Sequence, residues 1–233
     1  MNPVFILHIE TSTTVCSVAL SRDKDCLFNI RNDEGLNHAA LLSRFIEKAF
    51  TELRRHAANL DAVAVSAGPG SYTGLRIGVS TAKGLCYGLN IPLIAIDTLA
   101  LMCVPVIRLH PSEQALFCPM IDARRMEVYT ALYDKQGALV RSPWAEILTE
   151  SSFADCLASK RVYFFGNGSD KSRPLLSAPN ACFVEAVDPL AENMIELAWE
   201  HFRQKNFVDT AYYEPFYLKE FQATTPRQSK VGL

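Results

Sequence analysis

The first 110 residues alternate in an order that few architectures can accommodate. Strand-like apolar runs at Val4–Glu10, Val15–Ser21 and Cys26–Arg31 follow one another. Only the polar turns Thr11-Ser12-Thr13-Thr14 and Arg22-Asp23-Lys24-Asp25 separate them. Connections this short imply an antiparallel meander. A helix over residues 38–56 is predicted next, because Leu41, Leu42, Phe45, Ile46, Ala49, Phe50 and Leu53 recur at helical period behind a capping Asn37. A strand at Ala62–Ser66, a helix from Tyr72 to Gly88, a strand at Leu93–Ile96 and an apolar helix at Thr98–Leu109 complete this half. Three strands, then helices alternating with two more, describe one layered α/β lobe.

A second lobe is expected over residues 111–223, opening near Pro111-Ser112-Glu113. Its strands are read at Ala115–Ile121, Met126–Tyr133, a short stretch near Leu139-Val140, and Val162–Phe165, with a helix around Ser151–Ser159. The last helix is marked by Asp188 as N-cap and Pro189 at its first turn, with Leu190, Met194, Leu197, Ala198 and Phe202 facing inward. Residues 224–233 are polar and read as a flexible tail. No fixed-period repeat relates the two halves in sequence.

Charge narrows the function classes. Lys and Arg total 23 against 25 Asp and Glu, a net charge of −2. A chain that grips RNA unaided usually carries a basic excess. Here basic residues are scattered, with small clusters at Arg54-Arg55 and Arg124-Arg125, so contact with nucleic acid is expected to be indirect. Asp122 and Glu127 flank the second pair and could bridge to it or present it to a partner. The seven cysteines show no C-x-x-C spacing and sit mostly in apolar runs, as reduced buried thiols do. No run is long and apolar enough to span a bilayer. Met1-Asn2-Pro3 leads directly into a strand without a basic leader, so a cytoplasmic protein is expected.

The segment Gly68-Pro69-Gly70-Ser71-Tyr72-Thr73-Gly74-Leu75-Arg76-Ile77-Gly78 lies between a strand and a helix, where exposed N–H groups can hold an anion. It is neither a P-loop nor a dinucleotide fingerprint, since Gly68, Gly70 and Gly74 are spaced G-x-G-x-x-x-G. The second reading is conformational: a tight turn, then a smooth helix against which a sheet, another helix or a second chain packs closely.

This segment resembles the signature of the TsaB (YeaZ) family, and the resemblance extends over most of the chain. It takes in Ile9-Glu10-Thr11-Ser12 through Ser17-Val18-Ala19-Leu20, His38-Ala39-Ala40-Leu41-Leu42, Ala82-Lys83-Gly84-Leu85, Ile91-Pro92, Asp122 to Tyr129, and Pro215-Phe216-Tyr217-Leu218-Lys219. Glu10, Met126 and Lys219 depart from the usual family pattern, where Asp, Gly and Arg are commoner. The resemblance implies an actin-like ATPase (ASKHA) superfamily fold of two ribonuclease-H-like lobes. It also implies a non-catalytic subunit that acts with TsaD and TsaE in transferring threonylcarbamoyl to N6 of adenosine 37 in tRNA. A homodimer is expected when TsaD is absent, with no cofactor of its own, and with ATP or ADP entering only through the assembled complex. The partner interface is expected at Leu41, Phe45, Phe50, Gly74, Arg76 and Gly78.

Two enzymatic rivals follow from the same resemblance. TsaD-like catalysis needs an H-x-x-x-H pair one helical turn apart. His8, His38, His56, His110 and His201 supply no such pair, nor an H-E-x-x-H peptidase site, and 233 residues is short for the catalytic paralogue. An ATP-binding kinase or ATPase would instead use Glu10, Thr11 and Ser12 near phosphate or Mg²⁺, with Gly166-Asn167-Gly168 closing a nucleotide site.

Overall fold

The computed structural model describes residues 3–35, 37–111 and 115–219. Strands β1 (Phe5–Glu10), β2 (Cys16–Arg22) and β3 (Asp25–Asn32) form the expected meander. They lead to helix α1 (His38–Arg55), strand β4 (Ala62–Gly68), helix α2 (Tyr72–Leu89), strand β5 (Leu93–Asp97) and helix α3 (Thr98–Leu109). The second half holds β6 (Ala115–Asp122), β7 (Glu127–Tyr133), β8 (Leu139–Ile147), the short helix α4 (Ala154–Leu157), β9 (Arg161–Phe165), β10 (Ala181–Val184) and α5 (Ile195–Arg203).

The first sheet is ordered β3-β2-β1-β4-β5 and the second β8-β7-β6-β9-β10. In each, the first three strands pair antiparallel and the remaining two add in parallel. The halves are therefore one topology used twice, in a two-lobed α/β architecture. The outer face of the first sheet (Phe5, Leu7, Ile9) packs on α1 and α2 through Leu42, Phe45, Ile46, Val79 and Ala82. Strand alternation sends Ile6, His8 and Glu10 to the opposite face. There Ile6, Ala64 and Ile94 share one core with Phe117, Tyr163 and Phe165 of the second sheet and with α3. The lobes are joined by that core and by cross-lobe hydrogen bonds, among them Tyr133 Oη donating to Asp97 Oδ1 (3.2 Å) and Ala191 N–H donating to Ser17 Oγ (2.9 Å).

Several local expectations need correcting. Asn37 makes no side-chain cap; it sits at φ 68°, in the left-handed region. Asp188 and Pro189 precede a 3₁₀ turn at Ala191–Met194, and the α-helix proper begins only at Ile195. β8 runs nine residues rather than two, and β10 was not anticipated. Among the seven free cysteines Cys26 is exposed. The expected opening of the second lobe at Ser112-Glu113 and the tail over 224–233 lie outside the described residues.

Candidate functional site

The glycine-rich segment and the first strand turn form one unit. Ser71 caps α2, its Oγ accepting from Gly74 N–H (3.3 Å), while Ser71 N–H donates to Ser12 O (2.7 Å). Thr11 Oγ1 donates to Gly74 O (2.8 Å). A Cβ at Gly70 would lie 2.4 Å from Ser12 O, one at Gly74 2.0 Å from Thr11 O, and one at Gly78 2.3 Å from Thr11 Oγ1. These three glycines are thus a cradle for the chain's own Thr11-Ser12 turn. From α1, the His38 ring lies 2.9 Å from Thr13 O and holds the same turn from its other side.

A strap closes the cradle from outside. Phe216 N–H donates to Ala67 O (2.7 Å), and the Phe216 carbonyl lies over Gly68, whose φ of +105° and 2.4 Å Cβ clearance admit only glycine. Tyr217 packs on Tyr72, with ring centroids 4.8 Å apart, and Arg76 lies over the Tyr72 ring. Lys219 then reaches both carboxylate oxygens of Glu127 in the second lobe.

Glu10, Thr11 and Ser12 are wholly buried, not solvent-facing. Glu10 Oε1 accepts from Ser12 N–H (2.5 Å), and Oε2 has no partner; nor do the buried hydroxyls of Ser12 and Ser66 or Nδ1 of His8. Burial raises the Glu10 carboxyl to about 7, with the neighbouring Ser12, Ser66 and Thr11 groups pulling the other way. Burial likewise lowers His8 to about 3. Orphan polar atoms of His8, Glu10 and Ser66 on adjacent strands, with that of Ser12 in the turn beyond them, form a polar seam inside the molecule. Ser66 and His8 were missed in the sequence, although a polar residue in an otherwise apolar strand was the available signal.

Gly166-Asn167-Gly168 repeats this geometry in the second lobe. Gly166 has φ +95° with a Cβ clearance of 2.4 Å to Met120 O, and Gly168 presses on the backbone of Ile121 and Asp122. Asn167 Oδ1 accepts from Asp122 N–H (2.9 Å). The acids flanking the arginine pair do not bridge to it. Asp122 pairs with Lys171 and Glu127 with Lys219. Among the described residues there is no group of three or more His, Cys, Asp and Glu side chains arranged to hold a metal ion.

Of the residues expected at a partner interface, Phe45, Gly74 and Gly78 turn inward and are buried in this chain, Leu41 and Phe50 are half-buried against the same core, and Arg76 is exposed. What α2 shows outward is a different stripe: Thr73, Arg76, Ser80, Gly84 and Tyr87, the last 87% exposed. A shallow groove of about 380 Å³ between α1 and α2 is lined by Ala39, Arg76, Ile77, Ser80 and Thr81. A second groove, of about 450 Å³, lies between Lys83, Gly84 and Tyr87 and the loop at Asp209–Ala211.

Comparison with known proteins matches residues 34–171 to the family model of TsaD, tRNA N6-adenosine threonylcarbamoyltransferase. The tRNA threonylcarbamoyladenosine biosynthesis protein TsaB of Bacillus subtilis is 30% identical over 73% of this chain and 74% of its own length. The chain belongs to the TsaB (YeaZ) family. The Haemophilus influenzae TsaB protein is 29% identical, covering 94% of this chain and 95% of its own. The solved structure of YeaZ from Pseudomonas aeruginosa superposes with a TM-score of 0.73 at 26% identity, over 92% of this chain and all of that one. Another from the same organism, described as similar to the peptidase YeaZ, gives 0.78 at 26% identity, over 94% of this chain and all of that one. No helix among the described residues is long and apolar enough to cross a membrane.

Proposed function

We propose that this chain is a non-catalytic subunit in the biosynthesis of threonylcarbamoyladenosine on tRNA, acting in the cytoplasm with a TsaD-type transferase and with TsaE. It supports transfer of the threonylcarbamoyl group to N6 of adenosine 37 and makes or breaks no bond itself. ATP or ADP belongs in this reading to the assembled complex, not to this chain's own inter-lobe seam, and a homodimer forms when the transferase is absent. One observation carries the reading. The acid, hydroxyls and glycines that a nucleotide-using relative would turn toward phosphate are here spent on internal packing, with Thr11 and Ser12 seated in the chain's own glycine cradle. The helix whose inner face makes that cradle keeps an outer stripe of Arg76, Ser80, Gly84 and Tyr87 open for a partner.

The interface test must use that outer stripe. Gly78→Leu would break the cradle and unfold the lobe, so it cannot report on binding alone. A Cβ at Gly84 meets nothing within 4 Å. Gly84→Arg is expected to leave the melting temperature of the isolated chain unchanged within a few degrees and to abolish co-elution with the cognate TsaD. Normal co-elution by Gly84→Arg and Tyr87→Ala together would reject this face.

A further inference from the structure

The outer stripe of α2 is bounded on one side by the chain's own C-terminal strap. That segment is first pinned where Val208 N–H donates to Leu93 O (3.0 Å) and Tyr213 packs on the first-lobe core. Lys83 of α2 then donates to the carbonyls of Ala211 and Tyr213, both at 3.0 Å. Further on, Phe216 N–H is bonded to Ala67 O and the Tyr217 ring lies against Tyr72. Tyr72 and Lys83 stand about three helical turns apart, so both grips fall on one side of α2, roughly 16 Å from each other. Lys219 finally crosses to Glu127 of the second lobe.

These grips bear on one exposed side chain of the stripe. Arg76 follows Tyr72 by one helical turn. Its Nη1 donates to Tyr72 Oη (2.9 Å), and its guanidinium stands 5.4 Å from the centre of the Tyr72 ring. Tyr217 packs on that same ring, with centroids 4.8 Å apart and the planes tilted by 38°. Glu214 of the strap lies close enough to act on the guanidinium electrostatically. An arginine on a bare helix surface samples many rotamers, and ordering it at an interface costs binding free energy. Here Tyr72 directs the guanidinium, and the strap wedges Tyr72. The seat of the strap is fixed in the backbone as well, because a Cβ at Gly68 would lie 2.4 Å from Phe216 O.

We propose that the strap is a positioning device for the partner face: it holds Tyr72 through Tyr217, is itself held by Lys219 on Glu127, and so presents Arg76 to a partner in one pose. Tyr217 and Glu127 are then positioning residues that act through Arg76. The arrangement ties the partner face to the second lobe, since a change at Glu127 reaches Arg76 by way of the strap. Linkage makes the effect reciprocal: a partner that prefers the held pose must in turn steady the strap. A strap that only stabilised the first lobe would lower the melting temperature when weakened and leave the affinity of the folded chain alone. This role rests on the proposed reading that α2 bears the partner face; the contacts of the strap do not depend on it.

The test is calorimetric titration of the full chain with its cognate TsaD-type transferase, with hydrogen exchange at the Phe216 amide followed in parallel. Arg76→Ala should weaken binding about tenfold. Tyr217→Ala should weaken it about fivefold, and Tyr217→Phe, which keeps the ring, should bind as the parent does. In the Arg76→Ala background, Tyr217→Ala should add almost nothing, because the strap acts through that arginine. Glu127→Gln, a change of charge alone in the other lobe, should weaken binding about twofold, and it carries the test if Tyr217→Ala unfolds. Exchange at Phe216 should slow in the complex. Parental affinity in both Tyr217→Ala and Glu127→Gln, with Arg76→Ala impaired, would overturn the role of the strap and leave the partner face standing. A full fivefold loss from Tyr217→Ala on top of Arg76→Ala would also overturn it, since Tyr217 would then act independently of the arginine. Parental affinity in Arg76→Ala and Gly84→Arg alike would instead reject the partner face, and the role of the strap with it.

Discussion

The two lobes carry the same turn in opposite surroundings. At the end of the first strand of each sheet an acid accepts a hydrogen bond from the N–H two residues on: Glu10 from Ser12 (2.5 Å) and Asp122 from Arg124 (2.9 Å). At the end of the adjacent parallel strand, β4 or β9, each lobe places a glycine at φ near +100° followed at the second position by another that touches the first turn. These are Gly68 and Gly70 in the first lobe, Gly166 and Gly168 in the second. In the first lobe Glu10 turns to the sheet face that packs against the second lobe and is left dry, while α1, α2 and the strap hold the turn that follows it. In the second, the outer sheet face is covered by the four-residue α4 and by irregular chain bearing Leu148, Phe153 and Leu176, so the turn at Arg124 stays in water. A common backbone has thus been used once as a buried clasp and once as an exposed display.

The sharpest way to break that comparison is to spoil the clasp. Gly74→Ala puts a methyl 2.0 Å from Thr11 O, a backbone atom held on both sides, and is expected to cost about 3 kcal/mol or more. Gly84→Ala, on the same helix with open space around it, should stabilise by up to ~1 kcal/mol through helix propensity. Urea unfolding of the pair checks both signs. Equal effects would mean that the cradle does not constrain the turn.

Much of this was legible beforehand. The meander, the period of α1 and the placement of α2 followed from Leu42, Phe45, Ile46 and Leu53 and from the turn residues between the strands. What escaped was whatever depended on tertiary partners. Gly78 looked like an outward smooth surface because nothing local says which face of a glycine-lined helix the first turn will occupy. β8 was cut short because Arg141-Ser142-Pro143 reads as loop, yet β7 pairs with it through Trp144, Ala145 and Glu146. The duplication of the lobes was expected from the family resemblance but not legible in the residues themselves, because Gly68 and Gly166 share a backbone requirement, not a side-chain pattern. The strap at Pro215–Lys219 was noted only as a family string; its contacts with Gly68 and Glu127 span too much sequence for any local rule.

A middling effect is expected from the buried acid, and it has a sign. Glu10 titrates near 7 in the fold against 4.5 when exposed, so between those values the folded state holds a proton the unfolded chain has released. Its contribution to stability therefore falls as pH rises from 4.5 to 7, by up to ~3 kcal/mol. His8 acts oppositely: it is neutral in the fold down to about 3 against 6.5 when exposed, so its contribution rises with pH between 3 and 6.5. The two offset one another between pH 4.5 and 6.5. Glu10→Gln should expose the His8 slope, with the melting temperature climbing to pH 6.5 and then levelling, while the parent declines toward pH 7. Identical profiles by scanning fluorimetry from pH 4.5 to 8 would mean that Glu10 is hydrated in the native state.

The smallest effect should come from the matching acid of the second lobe. Asp122 is about half-exposed, pairs with Lys171 in contact with water, and gives Oδ1 to Arg124 N–H. Asn keeps that acceptor, and an ion pair so exposed is worth about 0–1 kcal/mol. Asp122→Asn should therefore shift the unfolding free energy by less than ~1 kcal/mol. The same carboxylate-to-amide change at Glu10, measured at pH 8, should stabilise the fold, because there it removes a charge that burial penalises. If the two substitutions behave alike, enclosure is not what separates the lobes, and the shared turn geometry would have to set both responses by itself.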